Sequence, residues 1–169
     1  MSYAQTILPE FDQEMATTRK ILERVPEEKN DWKPHAKSMT LGRLAGHVAE
    51  LPGWGVTTLR QTELDFAPAG GAPYQPSHFT TREKTLQLFD DGVKACRDAI
   101  AETSDADFMV LWTLKRGGQK LMSMPRAVVM RSMVLNHIVH HRAQLGVYLR
   151  MNDIPLPGSY GPTADEPRM

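Results

Sequence analysis

Residues 136–151, NHIVHHRAQLGVYLRM, hold three of the chain's six histidines and the reading of the fold turns on them. On a helical wheel with His137 at zero, His141 falls at about +40° and His140 at about −60°. Met130, Met133, Val134, Gln144, Leu145 and Tyr148 fall on the same side, whereas Arg131, Arg142 and Arg150 fall on the other. An amphipathic helix with histidines on its apolar face is therefore expected, with the arginines forming a solvated face. The pattern extends back to about Pro125, a favourable first-turn residue. From there to Met151 the helix would be about 40 Å long, the full height of a helical domain.

Upstream, MVLWTLKRGGQKLMSM places apolar and β-branched residues on either side of Gly117-Gly118 and predicts a small β-hairpin. Three earlier stretches carry helical periodicity. Ile7, Phe11, Met15, Thr18 and Leu22 form one stripe from Tyr3 to about Arg24, ended by Val25-Pro26. Thr40 is the predicted N-cap of a second helix, with Leu41, Leu44, Val48 and Leu51 on its apolar face and a kink or break expected at Pro52. Periodicity resumes through Leu59 and Leu64. Thr80 and Glu83 predict a capping box opening a third helix, carried by Leu86, Phe89, Val93, Cys96 and Ile100.

The connections are EEKNDWKPHAKS and the longer, Gly- and Pro-rich FAPAGGAPYQPSHFT. The tail, IPLPGSYGPTADEPRM, is expected to lie extended on the surface. Four amphipathic helices in one small domain, residues 1–169, predict an all-α fold: a four-helix bundle with a hairpin before the last helix. The length of the second-to-third connection predicts a crossover.

Composition narrows the function. Among 169 residues, 20 basic side chains balance 20 acidic ones, which argues against a nucleic-acid or anionic-membrane partner. The single cysteine excludes an internal disulfide and a thiolate-built zinc site. No uncharged apolar run approaches the roughly 18 residues of a membrane span. The N-terminus has neither the basic start nor the apolar stretch of a signal peptide, so a cytoplasmic location is expected.

Imidazoles four residues apart on one helical face suit a single metal ion, but two ligands leave the site incomplete. His47, flanked by Leu44 and Val48, is the strongest candidate for a third; its competing reading is a hydrogen-bonded core histidine. Spacing leaves open whether His140 or His141 partners His137. His35 and His78 sit in polar, proline-containing loops. Glu50, three residues after His47, could reach the same cavity as a catalytic or orienting carboxylate. Asn136 and Gln144 could orient ligands, and Trp54 and Tyr148 could wall a pocket. The absence of a glutamate after His137, where Ile138 stands, counts against the zinc-protease pattern.

The segments LGRLAGHVAEL (41–51) and NHIVHHRAQLGVYLR (136–150) resemble the DinB/YfiT-like superfamily of metal-binding proteins, the damage-inducible DinB and not the polymerase of that name. ELPGWGVTTLRQTELDF and the tail look similar as well. The resemblance implies an up-down-down-up four-helix bundle holding a divalent ion, often nickel or zinc, through His47, His137 and His141. It leaves His140 as a non-ligand and is compatible with a homodimer. Arg142 belongs to the same motif, yet the wheel places it away from the histidine face, so a structural ion pair is expected for it. The resemblance also implies a small-molecule substrate: activation of a low-molecular-weight thiol for transfer to an electrophile. A hydrolase using activated water and a non-enzymatic, metal-stapled binding protein are the alternatives. Structural zinc sites have four protein ligands, so a fourth from the tail, such as Asp165 or Glu166, would favour the staple.

Overall fold

The computed structural model describes residues 1–166, so the last three residues of the predicted tail lie outside the described residues. The chain is mostly helical, with a small three-stranded sheet. Helix α1, Tyr3–Leu22, opens on a capping box: the Gln5 N–H donates to Ser2 Oγ, and the Ser2 N–H donates to Gln5 Oε1. Helix α2, Leu41–Arg60, starts at Thr40, whose hydroxyl accepts the Arg43 N–H at 3.2 Å. Pro52 lies inside α2 without ending it. The expected break is absent, and Leu51, Pro52 and Leu59 are all buried along the uninterrupted helix.

Helix α3, Arg82–Glu102, is capped one residue later than the sequence suggests. Thr81, not Thr80, accepts from the Lys84 amide. A single turn, α4 (Asp105–Phe108), leads into the sheet. Strands β2 (Leu111–Arg116) and β3 (Gln119–Pro125) form the predicted hairpin. Its turn needs positive φ at both central positions, and Gly117 and Gly118 supply +59° and +78°.

The sheet has a third member that the all-α reading omitted. Strand β1 (Glu63–Asp65) pairs in parallel with β2, Leu64 opposite Leu114, so Leu64 belongs to the sheet and not to α2. Asp65 anchors it by accepting the Gly117 and Gly118 amides at 2.9 and 2.6 Å. Three residues are too few to display a strand period.

The last helical run has three parts. Helix α5 (Arg126–Val129) follows Pro125, which caps it from outside and is not its first residue. A π-helical segment, Met130–Leu135, comes next, in which the Asn136 N–H reaches back five residues to Arg131 O. Helix α6 (Asn136–Arg150) completes the run.

Helices α1 and α2 each pack against both α3 and α6. Phe11, Leu22, Leu41, Leu44, Leu51, Phe89, Ile100, Met130, Leu135, Ile138 and Leu145 fill the space between them, fully buried. Arg142 departs from the solvated-face expectation but makes the structural ion pair expected of it. It is buried against Glu14 of α1 at 2.7 Å, with Thr18 and Tyr160 completing its hydrogen bonds.

Candidate metal centre

His47 stands on α2 beside Leu44, Val48 and Leu51, all of them buried. His137 and His141 stand one turn apart on α6, facing His47. One ring nitrogen from each of the three comes within 4.8 Å of the others. His47 Nε2 and His137 Nε2 are 3.3 Å apart. A four-coordinate ion with bonds of about 2.0–2.1 Å separates neighbouring ligand atoms by about 3.3–3.4 Å, so this spacing fits one.

The outward-facing nitrogens explain the inward geometry. His47 Nδ1 lies 2.7 Å from Glu50 Oε1, His137 Nδ1 lies 3.3 Å from the Met133 carbonyl, and His141 Nδ1 lies 2.7 Å from Gln144 Oε1. Each partner is an acceptor, so each Nδ1 carries a proton, and in this tautomer it is Nε2 that is available to a ligand. An Nε2–Nε2 approach of 3.3 Å calls for a proton on one of the two or a cation between them.

The surroundings favour the neutral forms of His137 and His141. Burial lowers the His137 pKa, as does the neighbouring His47. Burial also takes His141 down to about 4, with His47, His137 and His140 adding to the effect. Glu50 goes the other way from its burial. Desolvation alone would raise its carboxyl, but hydrogen bonds from His47, Tyr74 and Ser77 outweigh it and hold the pKa at about 2. The carboxylate is therefore ionised and committed to orienting His47.

Trp54 stands edge-on to His47 and His137, at 6.0 and 5.8 Å between ring centroids, and forms an apolar wall. Tyr148 packs on Trp32 instead. His140 is exposed and rests against His141 without joining the three. His35 and His78 are exposed, as expected, and so is Asn136. The tail carboxylates are used elsewhere. Asp165 pairs with Arg150 and accepts the Leu156 amide, while Glu166 accepts the Gly158 amide and pairs with Arg24. A cavity of about 580 Å³ lies away from the imidazoles, between the tail and the other face of α6.

A family model described as the DinB superfamily matches residues 10–145. The chain belongs to the DinB superfamily. A DinB-like protein from Bacillus cereus ATCC 10987 superposes with a TM-score of 0.68, at 21% identity over 92% of this chain and 97% of that one. The DinB-like protein YjoA of Bacillus subtilis gives the same TM-score at 15% identity, over 91% of this chain and 97% of its own. At these identities the likeness is one of fold, and it establishes the DinB-like architecture. In sequence, the uncharacterized protein YrdA of Bacillus subtilis (strain 168) is 29% identical over 161 residues, 94% of this chain and 89% of that relative.

The DinB reading of the sequence brought together His47, His137 and His141, and the structure does the same. It missed the Met133 carbonyl, the Ser77 amide and Tyr74. Two of these are backbone groups with no sequence signal, and the third sits in a connection that shows only turn residues. Among the described residues, no helix is long and apolar enough to cross a membrane.

Proposed function

We propose that this protein is a metal-dependent enzyme in which His47, His137 and His141 hold one divalent ion, nickel or zinc, that activates a low-molecular-weight thiol for S-transfer to a small electrophile. The observation that carries this reading is the donor set. Three imidazole nitrogens converge while the nearby carboxylate, Glu50, is occupied on a ring nitrogen, and the candidate tail carboxylates are paired elsewhere. Three neutral ligands leave the charge of the ion undiminished and a position open. When bound, such an ion supplies Lewis-acid activation of a coordinated nucleophile.

The chain's own residues set the conditions for that chemistry. Glu50, Met133 and Gln144 fix the three tautomers. Trp54 limits water on one side of the rings. The chain cannot supply the thiol itself, because Cys96 is buried on α3 and burial pushes its pKa up to about 12. A reactive sulfur therefore has to arrive with a co-substrate. We place the site on a single domain with the up-down-down-up helix course, in the cytoplasm.

The test is turnover by metal-loaded and metal-stripped protein with a thiol plus an electrophile, against turnover of the electrophile with water alone. Metal-dependent consumption that requires the thiol supports transfer. Consumption with water alone replaces this reading with hydrolysis. Loss of thermal stability on stripping, with no consumption of either kind, replaces it with a structural staple.

A further inference from the structure

The two oxygens of Glu50 face different parts of the molecule. Oε1 holds His47 Nδ1, and Oε2 accepts the backbone N–H of Ser77 at 2.8 Å. Ser77 lies in the connection from β1 to α3, the longest one between two elements of the fold. Its carbonyl accepts a hydrogen bond from Arg43 Nη1 at 3.1 Å, and the same guanidinium nitrogen is 3.6 Å from Glu50 Oε1. Two residues on, the Phe79 N–H donates to the Gly42 carbonyl, and the Phe79 side chain is buried.

This close approach depends on Gly46, next to His47. A Cβ at position 46 would stand 2.5 Å from the Ser77 carbonyl oxygen and 2.7 Å from His78 Cα, both backbone atoms. At the other end of the segment, Tyr74 stands edge-on to Trp54 at 6.0 Å, and Trp54 in turn faces two of the imidazoles. Residues 74–79 thus meet the candidate metal centre through Glu50 and Trp54, without contributing one of the three imidazoles.

We propose that residues 74–79 are a latch coupled to the metal centre through Glu50, with Arg43 and Gly46 as positioning residues. The inference rests on the reading that the three histidines hold an ion. If Ser77 leaves Glu50, the carboxylate loses the partner that fixes its direction and is free to turn from His47 toward Arg43 and solvent. His47 then loses the acceptor that holds its tautomer and aims its Nε2. Coupling of this kind is reciprocal, so an ion that favours the aimed His47 also favours the seated segment.

Zinc is the probe, measured in the full chain by competition with a chromophoric chelator and by amide hydrogen exchange. Arg43→Met is expected to weaken zinc severalfold, and Gly46→Ala by more, toward the roughly 10–100-fold seen when the partner of a metal-bound histidine is lost. If Gly46→Ala fails to fold, Arg43→Met carries the test, since it leaves the backbone contact unobstructed. In a Glu50→Gln background, Arg43→Met is expected to have no further effect. Zinc is also expected to slow exchange of the Ser77 and Phe79 amides in the parent but not in Glu50→Gln. Parental zinc affinity in both positioning variants, with exchange at Ser77 and Phe79 unmoved by zinc, would overturn the latch while leaving the metal centre standing. A parent protein that takes up no zinc would overturn both.

Discussion

Arg142 and Glu14 form an ion pair at 2.7 Å between α6 and α1, and the residue beside Arg142 in sequence, His141, belongs to the cluster of three imidazoles. Helix α6 is thus held from two sides by adjacent residues. Both charged side chains are buried, so removing either leaves the other without its counter-ion. Glu14→Gln or Arg142→Met is expected to cost about 3 kcal/mol, the lower end for breaking a buried pair, because Thr18 and Tyr160 still accept from the guanidinium in the first and the Tyr160 hydroxyl still donates to Glu14 in the second. Urea unfolding measures the loss. A change below about 0.5 kcal/mol, the range of ordinary surface substitutions, would mean that the pair is effectively solvated.

The three imidazoles are separable from their neighbour. His47→Ala, His137→Ala and His141→Ala are each expected to lose metal while folded, whereas His140→Ala keeps it. Elemental analysis of untagged protein beside circular dichroism is the measurement. Loss of metal in His140→Ala together with its retention in His141→Ala would exchange the two assignments.

Acid is expected to destabilise the metal-free protein over a defined window. An unfolded histidine binds its proton near pH 6.5, whereas folded His141 does so only near 4, and His137 is shifted in the same direction. Between those limits the unfolded chain holds more protons, so stability rises with pH and is lost as pH falls. The urea midpoint should decline from pH 7 to 4.5, and the decline should be shallower in His141→Gln. Equal slopes in the two proteins would show that other groups govern the acid response.

Cys96 gives a readout of native packing. With its pKa near 12 and its side chain buried, it should resist a disulfide reagent at pH 8 in the folded protein and react at once in urea. Rapid native reaction would indicate that α2 and α3 separate readily where Gly55 meets the Cys96 sulfur.

Much of this arrangement was legible in residue order. Periodicity located the long helices because burial of one stripe governs them, and the His137/His141 spacing showed on a wheel because α6 is regular. What failed were features decided by a few residues or by backbone. Pro52 suggested a break that the packed helix tolerates. Arg142 looked solvent-facing because a wheel cannot show that Glu14, 128 residues away, waits on α1. Glu50 read as a candidate catalytic group, and only the fold shows its oxygens divided between His47 and Ser77. On the wheel Leu135 falls about 160° from His137, yet it is buried, because the face of α6 that enters the core runs through Ile138, Arg142, Leu145 and Leu149 and not through the histidines.

That π-segment sets a rule of chain length. It carries one residue beyond the count a plain α-helix would use to join the same two ends. Pro125 is fixed at one end by its pairing with Leu111, and His137 is fixed at the other by the imidazole cluster. Deleting one residue here, such as the exposed Arg131, would regularise the helix and leave the two ends in register, whereas a second deletion would turn one end against the other by about 100°. The second deletion would then misalign either the sheet or the histidines. The first deletion should therefore be tolerated far better than the second.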